Sequence, residues 1–224
     1  MDIVEAIKTR KSVRKFKKDP ITKDVLKDVL EIANSAPSAM NTQPWEFFVI
    51  SGDVIENIKK GNIEKLNSGE TPNPEHPLIG WPSDSVYKKR QVELAKQIFQ
   101  LMDIQREDKK KRGEWLERGF RFFDAPAAII IVVDRIHSES GESIDIGSIM
   151  QTICLAALNY DLGTCIEDQG VMFPQVVRKF AGIPDSKRII ISIAIGYPDW
   201  DFPANKLETP RESLDNIITW CGFD

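Results

Sequence analysis

Hydrophobic positions along the chain fall into a few clear periods. Ile3, Val4 and Ile7 share one helical face behind Asp2, a residue type suited to capping a helix start, so a short amphipathic helix is expected to end near Arg10. Thr22 offers a second cap. Ile21 and Leu26 are spaced as a hydrophobic staple around it, and Val25, Val29, Leu30 and Ala33 complete a buried stripe that should stop before Pro37. The aromatic and β-branched run WEFFVI predicts a strand, and Ser51-Gly52-Asp53 after it a turn and a new helix start. Gly, Pro, Asn and Ser are then dense from Gly61 to Pro82, which reads as a long loop. Two polar helical stretches, Val86 to Asp103 and Glu107 to Phe123, resemble a solvated or lid-like excursion.

The second half is far more apolar. PAAIIIVVD (126–134) and RIIISIAIG (188–196) are continuous β-branched runs, as expected of strands covered on both faces. Ile144 to Tyr160 is apolar nearly all round and carries the small residues Gly147, Ser148, Ala156 and Ala157, the pattern of a helix buried in a core or at an interface, with Leu162-Gly163 as its stop. A short helix should cover Val176 to Phe180, before Gly182 and Pro184. The alternation implies an α/β or α+β class. It lacks a glycine-rich strand-to-helix turn of the dinucleotide or P-loop type, so a phosphate would have to be held by side chains.

Composition narrows the picture in three ways. A chain of 224 residues can bury one sizeable core, so a single domain with an excursion fits. A net charge of -4 argues against a general nucleic-acid surface and makes any basic site local. Cys154, Cys165 and Cys221 are odd in number and widely spaced, which suits neither a disulfide framework nor a metal site, and points to a reducing cytoplasm. No run approaches the roughly 20 apolar residues of a membrane-spanning helix, so no membrane partner is expected.

Two segments carry candidate chemistry. In RKSVRKF, an extended backbone would turn Arg10, Ser12 and Arg14 to one side, giving two guanidinium forks and a hydroxyl suited to a phosphate. The plainer alternative is that cations gather here because a helix C-terminus favours them. The proline-bounded loop PSAMNTQPW (37–45) is dense in groups able to hydrogen-bond a heteroaromatic ring, although Asn and Ser also favour ordinary turns. His76 and His137 lie in polar stretches with no triad or metal spacing, and Cys165 is expected to pack rather than react.

RKSVRKF and APSAMNTQPWEF, in this order and separated by one helix, resemble the nitroreductase family of flavoproteins. FRFFDAPAAIIIVVD, DIGSIMQTICLAALNYDLGTC, VVRKFAGIPDSKRIIISIAIGYPD and TPRESLD are similar to its later blocks, so the resemblance spans nearly the whole chain. It implies an α+β fold, a three-layer sandwich with a mixed central sheet, in an entwined homodimer. The single domain, 1–224, would include a helical excursion at about 61–123 and a partner-embracing tail at about 197–224. It further implies FMN, with Arg10, Lys11, Ser12 and Arg14 at the phosphate and Arg211 closing that site. Lys11 stands where the family often has Arg or His. Pro37, Ser38, Ala39, Met40 and Asn41 would approach the flavin from the other subunit, with Gln43 supporting their loop. Cys165 to Asp168 would offer a backbone N–H to the flavin, Ile166 and Glu167 would line the ring, and Asp168 replaces a Gly of some relatives.

The implied activity is transfer of two electrons from NADH or NADPH to a small aromatic acceptor, nitroaromatic or quinone, in a ping-pong cycle with no metal. GWPSDSVYKKR and RFFDAP resemble the nitrobenzoate-reductase-like branch, which makes aromatic acids a lead. Reductive dehalogenation or flavin destruction on the same fold, and a non-enzymatic flavin-binding module, are the alternatives.

Overall fold

The computed structural model describes residues 2–78, 80–137 and 143–223. Helix α1 (Ile3–Thr9) is capped by Asp2, whose carboxylate accepts the Val4 N–H at 3.0 Å. Helix α2 (Lys23–Ala33) begins at Thr22, whose hydroxyl accepts the Val25 N–H at 3.3 Å, and it buries Leu26, Val29 and Ala33 as the staple pattern predicts. Strand β1 (Trp45–Ser51) leads into α3 (Gly52–Asn67), followed by the exposed helices α4 (Val86–Leu101) and α5 (Lys109–Phe120). The apolar half supplies β2 (Ala127–Asp134), α6 (Ser143–Leu158), β3 (Gly163–Glu167), α7 (Pro174–Ala181) and β4 (Lys187–Gly196).

The strands form one sheet in the order β1-β2-β4-β3. Central β2 and β4 are buried almost throughout because helices cover both faces. On one face α3 and α7 pack Ile55, Ile58 and Val177 against the sheet with Phe122 and Phe173. On the other, α2 and α6 bring in Val29, Ala33, Ile149, Ile153 and Ala157. The result is the expected α+β three-layer arrangement. Its named strand pairs are all antiparallel, however, and the parallel component of the expected mixed sheet is confined to an isolated bridge between Ser12 and Thr164.

Other expectations also need correction. The loop expected from Gly61 is helix as far as Asn67, because Gly61 is a packing device rather than a breaker. A Cβ there would lie 2.6 Å from Val176 Cγ1, so its absence lets α3 and α7 approach. Gly61→Val should therefore cost about 1–3 kcal/mol by overpacking, read as a lowered midpoint in urea. An unchanged midpoint would show that the helices part freely. Helix α6 is ended by Asp161 in the left-handed region at φ 56° rather than by Leu162-Gly163, and Gly163 opens β3 against Val13 and Pro198. The apolar stripe of α6 is largely covered within its own chain, by α2 and the sheet. Beyond residue 197 the described residues form an isolated bridge from Pro198 to Phe16 and short 3-10 turns, and Leu214, Ile217, Trp220 and Phe223 stand exposed. No helix among the described residues is long and apolar enough to cross a membrane.

Candidate functional site

Strand β3 is an edge strand, and its outer edge is only half covered. Ser12 pairs with Thr164, and the Val13 N–H donates to the Thr164 carbonyl at 2.9 Å. Buried Asn205 fixes the backbone alongside. Its carboxamide oxygen accepts the Arg14 N–H at 2.6 Å, and its amide nitrogen donates to the Lys15 carbonyl at 2.8 Å. Arg118 donates to the Arg14 carbonyl at 2.8 Å from the opposite direction. The chain from Lys11 to Lys15 is thus held by main-chain bonds that leave its cationic heads available.

Those heads are uncompensated. Lys11 donates only to the Asn205 carbonyl at 3.3 Å, and the Arg14 guanidinium only to the Ser12 carbonyl at 3.3 Å. Among the described residues the Arg10 guanidinium has no hydrogen bond, and none of the three cations has an ion pair, whereas neighbouring Lys15 pairs with Asp124. Arg10 is the C-cap of α1 and acts electrostatically on Cys154 of α6, while Ser12 hydrogen-bonds and Arg14 acts electrostatically on Cys165 of β3, so all three residues cluster about the two buried thiols beside β3. Burial pushes the Cys165 thiol up to about 12, against the opposing effects of Arg14 and Ser12, and also raises Cys154.

Past the clamp, β3 stays open. Since Thr164 turns its carbonyl outward, alternation along the strand turns the backbone groups of Ile166 to the same edge; β3 ends at Glu167, and the carbonyl of Asp168 accepts the Val171 N–H at 3.0 Å. Ile166 packs with the α6 side of the core. Glu167 does not share its face. Its carboxyl is buried, accepting the Gly170 N–H at 2.7 Å and the Ser192 hydroxyl, and burial drives it up to about 8 despite both hydrogen bonds. Of the two residues expected to line a bound ring, Glu167 is thus turned to the opposite face from Ile166.

The open edge ends at a cavity of about 700 Å³, walled by Ile146 and Met150 of α6, by Trp81, and by Ile190 and Ile191 of β4. A register shift opposite Ile131 and Val132 leaves Ile190 unopposed, so two consecutive isoleucines serve one cavity. His76 and Asp168 bring polar groups to it. The His76 segment is anchored by Glu75, which accepts from Arg178 at 2.7 Å and from the Ile189 N–H at 2.7 Å. Burial would raise the Glu75 carboxyl, yet these donors together with Arg135 hold it below its ordinary value. Among the described residues the buried His76 Nδ1 has no hydrogen-bond partner, and burial raises Asp168 against the pull of His76. The place of His76 here is invisible in the sequence, because nothing in its spacing foretells a residue 92 positions later.

The 37–43 loop is strained. Met40, Asn41 and Gln43 have φ of 51°, 57° and 45°, a region costly for residues with a Cβ and kept mainly where surroundings impose it. Ser38 Oγ accepts the Gln43 N–H at 2.9 Å, Gln43 Nε2 donates to the Asn41 carbonyl at 2.8 Å, and the Ala39 N–H donates to Asp145 at 3.0 Å. Pro37 and Met40 are exposed. Among the described residues no hydrogen bond or ion pair joins this loop to Arg10, Lys11, Ser12 or Arg14. Arg211 is equally apart, donating to Thr209 and Pro210 in a groove beside Arg90 and Leu94 of α4.

A cation clamp without acids of its own, an open strand edge and an apolar cavity at its far end suit an elongated anionic cofactor with a flat head. Residues 7–197 match the model of the nitroreductase family, and the chain belongs to that family. It is 32% identical to a nitrobenzene nitroreductase from Ectopseudomonas oleovorans, covering 97% of this chain and 96% of that protein. It is 28% identical to a 4-nitrobenzoate reductase from Pseudomonas putida, over 100% and 97% of the two. Among solved structures, an FMN and NADPH-dependent nitroreductase from sphigopyxis sp. strain HMH superposes with a TM-score of 0.94 at 28% identity, with both chains fully covered.

Proposed function

We propose that this NAD(P)H-dependent FMN nitroreductase works as a cytoplasmic homodimer by a ping-pong cycle, with nitroaromatic or quinone acceptors seated in the cavity beyond Asp168. The observation that carries this reading is the trio Arg10, Lys11 and Arg14, left without ion pairs beside an open strand edge. These residues and Ser12 would hold the FMN phosphate, which planar guanidinium groups meet with paired, charge-assisted hydrogen bonds. FMN supplies the redox centre when bound. The chain's part is then positional. Backbone groups of Ile166 and the Asp168 N–H would hold the ring edge, Ile166 would pack beside it, and Met150, Trp81 and the paired isoleucines would exclude water from the acceptor. NAD(P)H gives up two electrons and departs before the acceptor enters the same space.

The 37–43 loop supports a shared site, since its strained backbone keeps Pro37 and Met40 exposed and, among the described residues, makes no hydrogen bond or ion pair to the cations of its own chain. Exposed Ile3, Val4 and Ile7 on α1, and Trp220 and Phe223 on the tail, are apolar surface available to a second copy. Purified protein should be yellow, bleach anaerobically with NADPH or NADH, and regain its colour on addition of a nitroarene or quinone. Initial rates should give parallel double-reciprocal lines. Intersecting lines would replace the ping-pong cycle by a ternary complex, and bound flavin that no nicotinamide bleaches would favour a flavin-binding module.

A further inference from the structure

We propose that Asp168 makes the cavity selective for neutral aromatic acceptors and excludes those bearing a carboxylate, an inference that rests on reading this cavity as the acceptor site. Its walls are apolar, and among the described residues neither Lys nor Arg lines it. An aromatic acid needs a cationic partner once it leaves water, because an unpaired buried charge is costly. The only acid among the described lining residues is Asp168, half-buried, where charge repulsion is screened far less than in bulk water.

Three sources of positive charge bear on it, and among the described residues none forms an ion pair with it. His76 acts on Asp168 electrostatically but forms no ion pair with it within 4.0 Å. The N-terminus of α6 opens on the cavity at Ser143 and would favour an anion, but Asp145 already occupies its first turn. The cationic clamp lies near Thr164, four residues back along β3, roughly 13 Å away at about 3.3 Å per strand residue. In the flavin-loaded protein its charge would moreover be matched by the FMN phosphate. The relatives do not decide the matter, since a nitrobenzene and a nitrobenzoate reductase resemble the chain to a similar degree.

The test compares 4-nitrobenzamide with 4-nitrobenzoate, a pair of nearly equal shape that differs in charge. Calorimetric titration of the flavin-loaded protein should show the amide binding at least about tenfold more tightly, equivalent to about 1.4 kcal/mol. In Asp168→Asn that ratio should shrink to within about threefold, whatever the absolute affinities, as the fixed negative charge is removed. The ratio of kcat/KM for the two compounds should move in parallel. Equal affinities in the unsubstituted protein, or an undiminished preference in Asp168→Asn, overturn the selectivity while leaving the cavity as the acceptor site. Failure of both compounds to bind, in protein that NADPH still bleaches, overturns the acceptor site and the selectivity with it.

Discussion

Protein carrying Arg10→Ala and Arg14→Ala together should emerge colourless from a preparation in which the unsubstituted chain is yellow. Each hydrogen bond between charged groups contributes about 1.5–3 kcal/mol, so the pair should weaken FMN binding by roughly 10²- to 10⁴-fold. The fold should survive. The bonds that seat this segment run through main chain, from Val13 to Thr164 and from Asn205 to Arg14 and Lys15, and use neither guanidinium. Far-UV circular dichroism and FMN titration of the variant together check the prediction. Stoichiometric FMN retained in a folded double variant would remove these residues from the phosphate site.

Glu167→Gln should change how stability depends on pH. The native carboxyl is driven up to about 8 from an ordinary 4.5, because burial outweighs the bonds from Ser192 and Gly170. Between those values the folded chain keeps a proton that the unfolded chain releases. The stabilisation from the neutral acid is therefore fully present below about pH 4.5 and is lost as pH rises through about 8. The loss is on the order of a few kcal/mol, since every tenfold difference in proton affinity between the folded and unfolded chain is worth about 1.4 kcal/mol. Glutamine stays neutral, so urea midpoints of FMN-saturated Glu167→Gln should be flatter than those of the unsubstituted protein from pH 5.5 to 8.5. Parallel curves for the two proteins would mean that the carboxyl titrates in the native state as it does in water.

The elements most legible in the sequence are those whose signal is local. The Thr22 cap with its staple, and the unbroken apolar runs of β2 and β4, state their structure within a dozen residues. Gly61 misleads because glycine density suggests a loop when its cause is contact with Val176, more than a hundred positions away. Strand β3 is five residues long and starts with Gly163, too little for a period to emerge. At the site, Arg10, Ser12 and Arg14 are legible by residue type. Their seating beside β3 is not, because the bridge from Ser12 to Thr164 joins distant parts of the chain. Asn205 and Arg118 reach Arg14 across separations of 191 and 104 residues, and no spacing rule connects them. Asp168 stands out in the sequence as a departure from the family pattern, and only the fold sets His76 beside it.

The thiols near the site acquire a further meaning from this chemistry. Nitroso compounds, the two-electron products of nitroarene reduction, are electrophiles that react with thiolates, so a nitroreductase works amid agents able to modify it. Cys165 and Cys154 are buried and, with their thiols raised, held in the unreactive protonated form next to the reaction. Only Cys221 is exposed, on the tail. Burial beside β3 thus keeps the thiols of Cys154 and Cys165 from trapping a product before it leaves.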